Sequence, residues 1–481
     1  MDVTYKADAA KRLAFLALPA TVFSTITICR GQKLVFRKIF QIHDEKLAFA
    51  ALLAVSMALH FINLTHPAQV VFDEFHFGKF VNAYCCSHET IFDIHPPHPK
   101  LIMAWLANLW GYDGRLGFMA IGDSLVGAPI FALRLWPATV GTLIPLVGFW
   151  LLRLWRVPLA WAFTGGMALA LENGILVQTR IMALDGQLLL GSLLSVLMCE
   201  KMLRARTAPG QIAFGLFTGL SLALTVSAKF TGLAVIAILG FQLIQQFMRS
   251  GMKLDWTKAA IATTATTALA AVGGFMALYL AGWKLHFMWL TKPGLGTPFY
   301  SLTGNFLQDV FALHKIMLSA NNGITTSHPW TSPWWQWPMM QKPIYYWVDQ
   351  GAMIYFAGNP VVWWGSLGMT LILLVWMGLS RSGAWRGPHA NLLIVGWAAS
   401  FIPYAFVSRG LFLYHYLPPL MWLILLTTIL LSRQPTLTSK SILIKPWHVL
   451  SLIICGFVVT MPVTFGFVGW KEIPVQLLRL R

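Results

Sequence analysis

Residues 47–80 read LAFAALLAVSMALHFINLTHPAQVVFDEFHFGKF. The first nineteen of them, 47–65, hold no Asp, Glu, Lys or Arg. That is enough apolar helix to cross the hydrocarbon core of a bilayer, which takes about 20 residues. The run then enters the densest set of ionisable groups in the chain. Within 68–100 lie Asp73, Glu74, His76, Lys79, Asp93, His95, His98 and Lys100, interleaved with Phe72, Phe75, Phe77 and Phe80. A chain that is 57% hydrophobic and 11% charged has little reason to gather charge in one loop unless chemistry needs it.

Working outward, apolar runs of the same kind recur along all 481 residues, and mean hydropathy is +0.65. Spans fall at roughly 47–65, 127–151, 158–176, 183–200, 211–228, 231–248, 258–282, 358–379, 391–407, 411–431 and 447–468. Water is absent at that depth, so the backbone must satisfy its own hydrogen bonds, and helices are the expected form. The fold class is an all-α polytopic membrane protein of about eleven transmembrane helices. Two long connections, 66–126 and 283–357, interrupt the spans and are expected to carry short amphipathic helices, for example over 76–86 and 100–110. Leu101, Trp105 and Leu109 make an apolar stripe in the second of these. A basic segment, 1–46, precedes a membrane domain over 47–481. Its apolar stretch 14–29 reads as an interfacial helix, with a signal peptide or an extra span as alternatives. Five cysteines show no metal or redox spacing, and vicinal Cys85–Cys86 is awkward for an ordinary disulfide.

The net charge of +18 resembles a nucleic-acid footprint until it is mapped. With the N-terminus cytoplasmic, the inside segments hold 21 of the 35 Lys and Arg against six acids; the outside holds 14 against 11. This is the positive-inside asymmetry. The charge is topological, no nucleic acid is implied, and both long connections fall outside.

On that outer side the span ends hold more charge than anchoring needs: Arg134 in FALRLWPATVG, Arg180 and Asp185 in TRIMALDG, Lys229 in SAKFTG, Arg409 and His415 in SRGLFLYHYLP. Each charge at membrane depth costs about 2.5–3.5 kcal/mol, so each needs a partner or a purpose. Cations held at headgroup level beside carboxylates suit a lipid-phosphate substrate, with Arg and Lys on the phosphate and a carboxylate activating a nucleophile. No GxGxxG or GxxxxGK fingerprint opens a helix, which favours a polyprenyl-linked donor over a soluble nucleotide sugar. Plainer readings stand beside these. Asp73 and Glu74 suit the start of a helix near His76. His76, His95 and His98 suit hydrogen-bonded loop positions better than metal ligation, and no metal is expected. Arg180 with Asp185 suits a structural ion pair as well as a substrate contact. The Trp-rich stretch 328–339, HPWTSPWWQWPM, suits interfacial anchoring as well as a rigid lid. Lys229 and Arg134 have no local acid.

The chain also resembles the protein O-mannosyltransferases, polyprenyl-phosphate-mannose-dependent glycosyltransferases of the GT-C class. The stretches that carry the resemblance are VVFDEFHFGKF, FDIHPPHPKL, FALRLWPATVG, QTRIMALDG, SAKFTGL, SHPWTSPWWQWPM, IYFAGNPVVWW and FLYHYLPPL, in family order over 66–420. HPPHPK departs from the pattern, with His98–Pro99 where a small or apolar residue and Gly are expected. The second long connection has no room for the β-trefoil (MIR) insertion of eukaryotic members, so the resemblance is to a bacterial-type member.

What the resemblance implies is inverting transfer of mannose from polyprenyl-phosphate mannose to Ser or Thr hydroxyls of secreted or membrane proteins. Asp73 would be the general base, with Glu74 orienting the acceptor or sharing that role. Arg134, Lys229, Arg409 and His415 would hold the donor phosphate. His76, Lys79, His95, Lys100, Arg180, Asp185, His328, Trp337 and Asn359 would support the site or shape the cleft. The lipid-linked sugar is a co-substrate, and no cofactor or metal is implied. Localisation would be the bacterial plasma membrane, with the site facing the periplasm. Donor sugar, acceptor and assembly as a homo- or hetero-dimer stay open. The alternatives are a GT-C transferase placing another sugar, such as aminoarabinose, on a lipid or envelope glycan, and a lipid-phosphate transporter or flippase. The charges cluster at one face with no repeat, which disfavours a transporter.

Overall fold

The computed structural model describes residues 44–251, 256–300, 302–323, 328–379, 387–433 and 444–467. The stretch 14–29 lies outside them. Among the described residues, eight helices are long and apolar enough to cross a membrane, or nine if one bent pair is a single span. Helices Glu45–Phe61 and Pro360–Leu379 sit on two further expected spans, so each expected span carries a helix. The count of eleven crossings is not established, because Glu45–Phe61 has 17 residues and only Pro360–Ile372 of the other is recorded as a shorter apolar helix. The protein is a multi-pass helical membrane protein.

Local chemistry fixes where these helices begin. Asp44 accepts hydrogen bonds from the amides of Lys46 (2.7 Å) and Leu47 (3.3 Å), capping Glu45–Phe61. Thr207 and Thr257 cap the helices Ala208–Val226 and Lys258–Trp289 in the same way. The bent pair, Leu159–Ala170 and Asn173–Thr179, turns by 55° at a break occupied by Leu171 and Glu172. Glu172 caps the second half through the amide of Gly174 (3.0 Å).

The span Leu413–Ser432 runs through the centre, with 89% of its apolar stretch buried, whereas Lys258–Trp289 lies at the rim, with 11% of its apolar stretch buried. The rim helix is held by close backbone approach rather than by a large apolar face. A Cβ on Gly219 would stand 1.8 Å from the Ala271 carbonyl oxygen, and one on Gly215 2.8 Å from the Thr267 side chain. Between helices in lipid, where apolar burial gives no driving force, such small-residue contact supplies the packing.

The two long connections pack together over one end of the bundle. The first holds helices Glu74–Asn82 and His98–Leu109, close to the expected 76–86 and 100–110, around a core of Phe77, Phe80, Tyr84, Leu101, Met103 and Phe118. Cys85 and Cys86 are joined as a vicinal disulfide, contrary to the sequence expectation. The second connection holds helix Phe306–Asn322, the 3-10 turn Trp334–Met339 and an antiparallel hairpin, Ile344–Asp349 with Ala352–Phe356. The hairpin has no counterpart in the sequence reading. Its second strand is buried on both faces, so the alternation that marks a strand is missing. Pairing slips between Tyr345 and Trp347, leaving Tyr346 as a bulge aimed into the protein.

Candidate active site

Asp73 stands just ahead of helix Glu74–Asn82, and its side chain makes no capping bond. It is half-buried, and no hydrogen bond or ion pair engages its carboxylate among the described residues. Burial pushes its pKa up to about 7; Lys229 opposes the rise, and the charges of Asp185 and Asp93 add to it. A free carboxylate poised near neutrality is the arrangement a general base requires.

Its neighbour Glu74 is wholly buried and fully committed. It accepts from Arg134 Nε (2.8 Å) and Nη2 (2.9 Å), and from the amides of Val71 (2.9 Å) and Met182 (3.1 Å). Arg134 donates its remaining N–H groups to the carbonyls of Leu64, Pro67 and Gln69 at 3.0–3.1 Å. All five guanidinium donors are used, so Arg134 has none for a phosphate. It serves instead as a rivet between helix Ile130–Leu154 and the start of the charged loop. Arg180 is likewise occupied: it donates to the carbonyls of Leu59, His60, Ile62 and Asn63 at 2.7–3.1 Å. These are the orphan acceptors at the end of Glu45–Phe61. Arg180 does not pair with Asp185.

Asp185 pairs with Lys229, whose Nζ lies 2.8 Å from both carboxylate oxygens. Lys229 has no local acid in the sequence, and its partner is 44 residues away. Gln178 Nε2 donates to Asp185 (2.6 Å), and Tyr346 Oη donates to Gln178 Oε1 (2.6 Å). Lys229 also sits 5.0 Å from the centre of the Tyr414 ring.

On the other side of the cleft Asp93 is bonded by Lys100 Nζ and His95 Nδ1. Burial alone would raise Asp93, but Lys100 and His95 more than offset it and hold the carboxyl well below the usual range. Burial lowers the pKa of His95 and of Lys100 despite the opposing pull of Asp93. Lys100 also bonds the His95 carbonyl (2.8 Å), fixing the loop that turns through the Pro-rich stretch. His76 is exposed, and Lys79 lies over the Phe75 ring at 3.8 Å, so both point to the surface of the loop.

Arg409 is different from the other two arginines. Its Nε is buried without a hydrogen-bond partner, and no ion pair engages it among the described residues. Its charge acts on Tyr414 and His415. His415 uses Nδ1 on the backbone of Phe412 (2.9 Å) and stacks against Trp337, ring centres 5.8 Å apart. Trp337 is fully buried and donates to Ser332 Oγ (3.0 Å), so this part of the Trp-rich stretch is a wall of the site, not a surface anchor. His328 is exposed beside the Phe412 ring. Asn359 lies away from the cleft: its Nδ2 bonds the carbonyls of Leu171 and Ile453, and its amide bonds Glu172.

Charge interactions join Asp73 to Lys229, Asp185 and Asp93, and His415 to Lys229, Arg409 and His95, while Lys100 is bonded to Asp93 and Trp337 is stacked on His415; these nine residues form one candidate site. Among the described residues no three His, Cys, Asp or Glu side chains converge as a metal site would need. Sequence reasoning missed Asp93, Gln178, Tyr346 and Tyr414 as site residues. Gln178 and Tyr414 lie inside stretches that carry the family resemblance, and Asp93 is part of the charged loop. Tyr346 has no local signal, since its placement depends on the bulge.

Comparison with known proteins places the chain in a family. The family described as dolichyl-phosphate-mannose-protein mannosyltransferase matches residues 50–291, and the C-terminal four-TM region of protein-O-mannosyltransferase matches 306–480. Dolichyl-phosphate-mannose–protein mannosyltransferase 4 of Schizosaccharomyces pombe is 34% identical over 200 residues, 40% of this chain and 26% of the relative. Its namesake in Candida albicans is 30% identical over 300 residues, 59% of this chain and 39% of the relative. The chain thus spans well under half the length of the relatives it matches. In fold it is similar to the S. cerevisiae protein O-mannosyltransferase Pmt1–Pmt2 complex bound to the sugar donor. That match has a TM-score of 0.80 at 17% identity and covers 89% of this chain and 91% of that one. ArnT from Cupriavidus metallidurans, bound to undecaprenyl phosphate, follows with TM-score 0.51 at 15% identity, covering 90% and 72%. With half of its length matched by one family description and most of the rest by the other, the chain belongs to the protein O-mannosyltransferase family.

Proposed function

We propose that this protein transfers a mannosyl group from polyprenyl-phosphate mannose to a Ser or Thr hydroxyl of a protein, with inversion at the anomeric carbon. The observation that carries the reading is the contrast among four carboxylates at one cleft. Glu74, Asp93 and Asp185 are each paired with a cation, and Asp73 is free. Asp73 takes the proton as the acceptor oxygen attacks C1, and the C1–O bond to the phosphate breaks with its electrons leaving on the phosphate. Lys229 and Arg409 stabilise that developing charge, with His415 beside them. Arg134, Glu74 and Arg180 hold the scaffold, and Asn359 ties the helix break to the start of helix Pro360–Leu379 and to helix Pro446–Phe465. Phosphate is already a good leaving group, so no general acid and no metal enter the proposal.

The positive-inside asymmetry supports a site on the non-cytoplasmic face, and a second connection with no room for the β-trefoil insertion supports a bacterial-type member, in the plasma membrane with its site facing the periplasm. The donor and the acceptor protein are the partners implied, within the bilayer.

The test is transfer from labelled polyprenyl-phosphate mannose to an acceptor peptide by purified protein. Asp73→Asn is expected to lower turnover by about 10²–10⁴-fold with donor binding retained. Turnover within a few fold of the wild type would remove Asp73 as the base. EDTA is expected to leave transfer unchanged; a loss restored by Mn²⁺ would bring a metal to Asp73 and His76. Label appearing in lipid or glycan rather than peptide would redirect the acceptor.

A further inference from the structure

A buried polar chain joins the second long connection to the cation of the site. Tyr346 Oη donates to Gln178 Oε1, Gln178 Nε2 donates to Asp185 Oδ2, and both Asp185 oxygens accept from Lys229 Nζ. Its direction is fixed by chemistry. An amide oxygen only accepts, so the tyrosine hydroxyl donates, and the amide nitrogen is left to serve the carboxylate. Gln178 and Tyr346 are both 0% exposed, so a break in the chain leaves unsatisfied groups with no water to replace the partner.

The far end of this chain reaches the base. Tyr346 is the residue skipped by the hairpin ladder, so its carbonyl is free to accept from the amide of Phe72 (3.0 Å). The two rings stack with centres 4.1 Å apart and planes 17° from parallel. Phe72 holds φ at +40°, a left-handed conformation that a bulky residue adopts only when its surroundings enforce it. Phe72 directly precedes Asp73, so whatever holds Phe72 sets the approach of the carboxylate.

We infer that Gln178 and Tyr346 are positioning residues that latch the bulged hairpin to the membrane bundle and keep Asp73 and Lys229 in register. The latch rests on the reading of Asp73 as base and Lys229 as phosphate cation. It couples the acceptor side of the reaction to the leaving-group side through one amide side chain. It also makes the second connection part of the active site.

Two readouts test this, on the full chain in detergent. The first is amide exchange by mass spectrometry, which needs no substrate. Gln178→Leu is expected to speed exchange by about tenfold over residues 70–77 and 344–356, the equivalent of one lost hydrogen bond, while the helix Asp185–Arg204 exchanges as before. Unchanged exchange at 70–77 overturns the latch. Acceleration everywhere also overturns it, because that is the mark of a general packing role. The second is a double-mutant cycle on mannosyl transfer. Tyr346→Phe, which keeps the ring stack, and Gln178→Leu are each expected to lower kcat/KM by about tenfold, and the double variant by no more than either alone. Additive losses break the coupling. If the wild-type protein transfers no mannose, the proposed function falls, and the exchange readout still decides the latch.

Discussion

Two arginines that look alike in the sequence have opposite fates in the structure. Arg134 and Arg409 each lie in an apolar context without a neighbouring acid, and each reads as a phosphate ligand. In three dimensions every N–H of Arg134 is spent, on Glu74 and three carbonyls, whereas Arg409 has a buried Nε with no partner. Arg134→Ala is therefore expected to act on stability, costing about 3–5 kcal/mol by stranding the buried Glu74 carboxylate. Arg409→Ala is expected to leave the fold intact and raise the donor KM by about tenfold or more. Thermal unfolding in detergent and donor titration separate the two; equal stability losses would contradict the division. Asp73 adds a pH signature. Its pKa is raised to about 7, so the protonated, inactive form dominates below that value and the base form above it. Transfer is expected to fall as pH drops through about 7 and to level off above it, and a profile flat down to pH 5 would contradict the assignment. The sequence identifies which charges are expensive, because that follows from local hydropathy. It does not reveal which are spent, because the partner of Arg134 lies 60 residues away and that of Lys229 44.

At the scale of elements, the spans and both amphipathic helices of the first connection were legible, since each is written as a periodic or continuous apolar run. The hairpin was not, and the reason is physical: strand Ala352–Phe356 is buried on both faces and Ile344–Asp349 carries a bulge. Neither gives the alternation by which a strand is read. The contact between Ala208–Val226 and Lys258–Trp289 was equally hidden, because it depends on what is missing. Gly219 lets the Ala271 carbonyl approach to a distance no side chain tolerates. Gly219→Leu is expected to force these helices apart and lower the yield of folded protein, whereas Gly240→Leu, where an added Cβ meets nothing within 4 Å, is expected to be neutral. Size-exclusion profiles of the two variants check this. Equal profiles would show that the crossing does not depend on the close approach.

At the scale of the whole molecule, the cleft groups share one end of the bundle. Asp73 follows the end of Glu45–Phe61, Asp185 opens Asp185–Arg204, Lys229 follows Ala208–Val226, and Arg409 precedes Leu417–Ser432. Arg153, Arg204, Arg249 and Lys445 mark the other end, at or next to the termini of their helices. The proposed transfer depends on which end faces out, because a hydroxyl on a secreted protein would meet the site only from the outer side. The charge asymmetry predicts that the Arg204 end is cytoplasmic. Asp113, half-exposed in the first connection, and Arg206, exposed beyond Asp185–Arg204, sit at opposite ends and make suitable reporters. In intact cells, Asp113→Cys is expected to react with a membrane-impermeant maleimide, and Arg206→Cys only after permeabilisation, each against the wild-type chain as background. The reverse pattern would turn the cleft to the cytoplasm and remove secreted proteins as acceptors, leaving the chemistry of Asp73 and Lys229 in need of a cytoplasmic hydroxyl. Labelling of both variants from one side would instead mean an even number of crossings between them, and would break the alternation on which the positive-inside count rests.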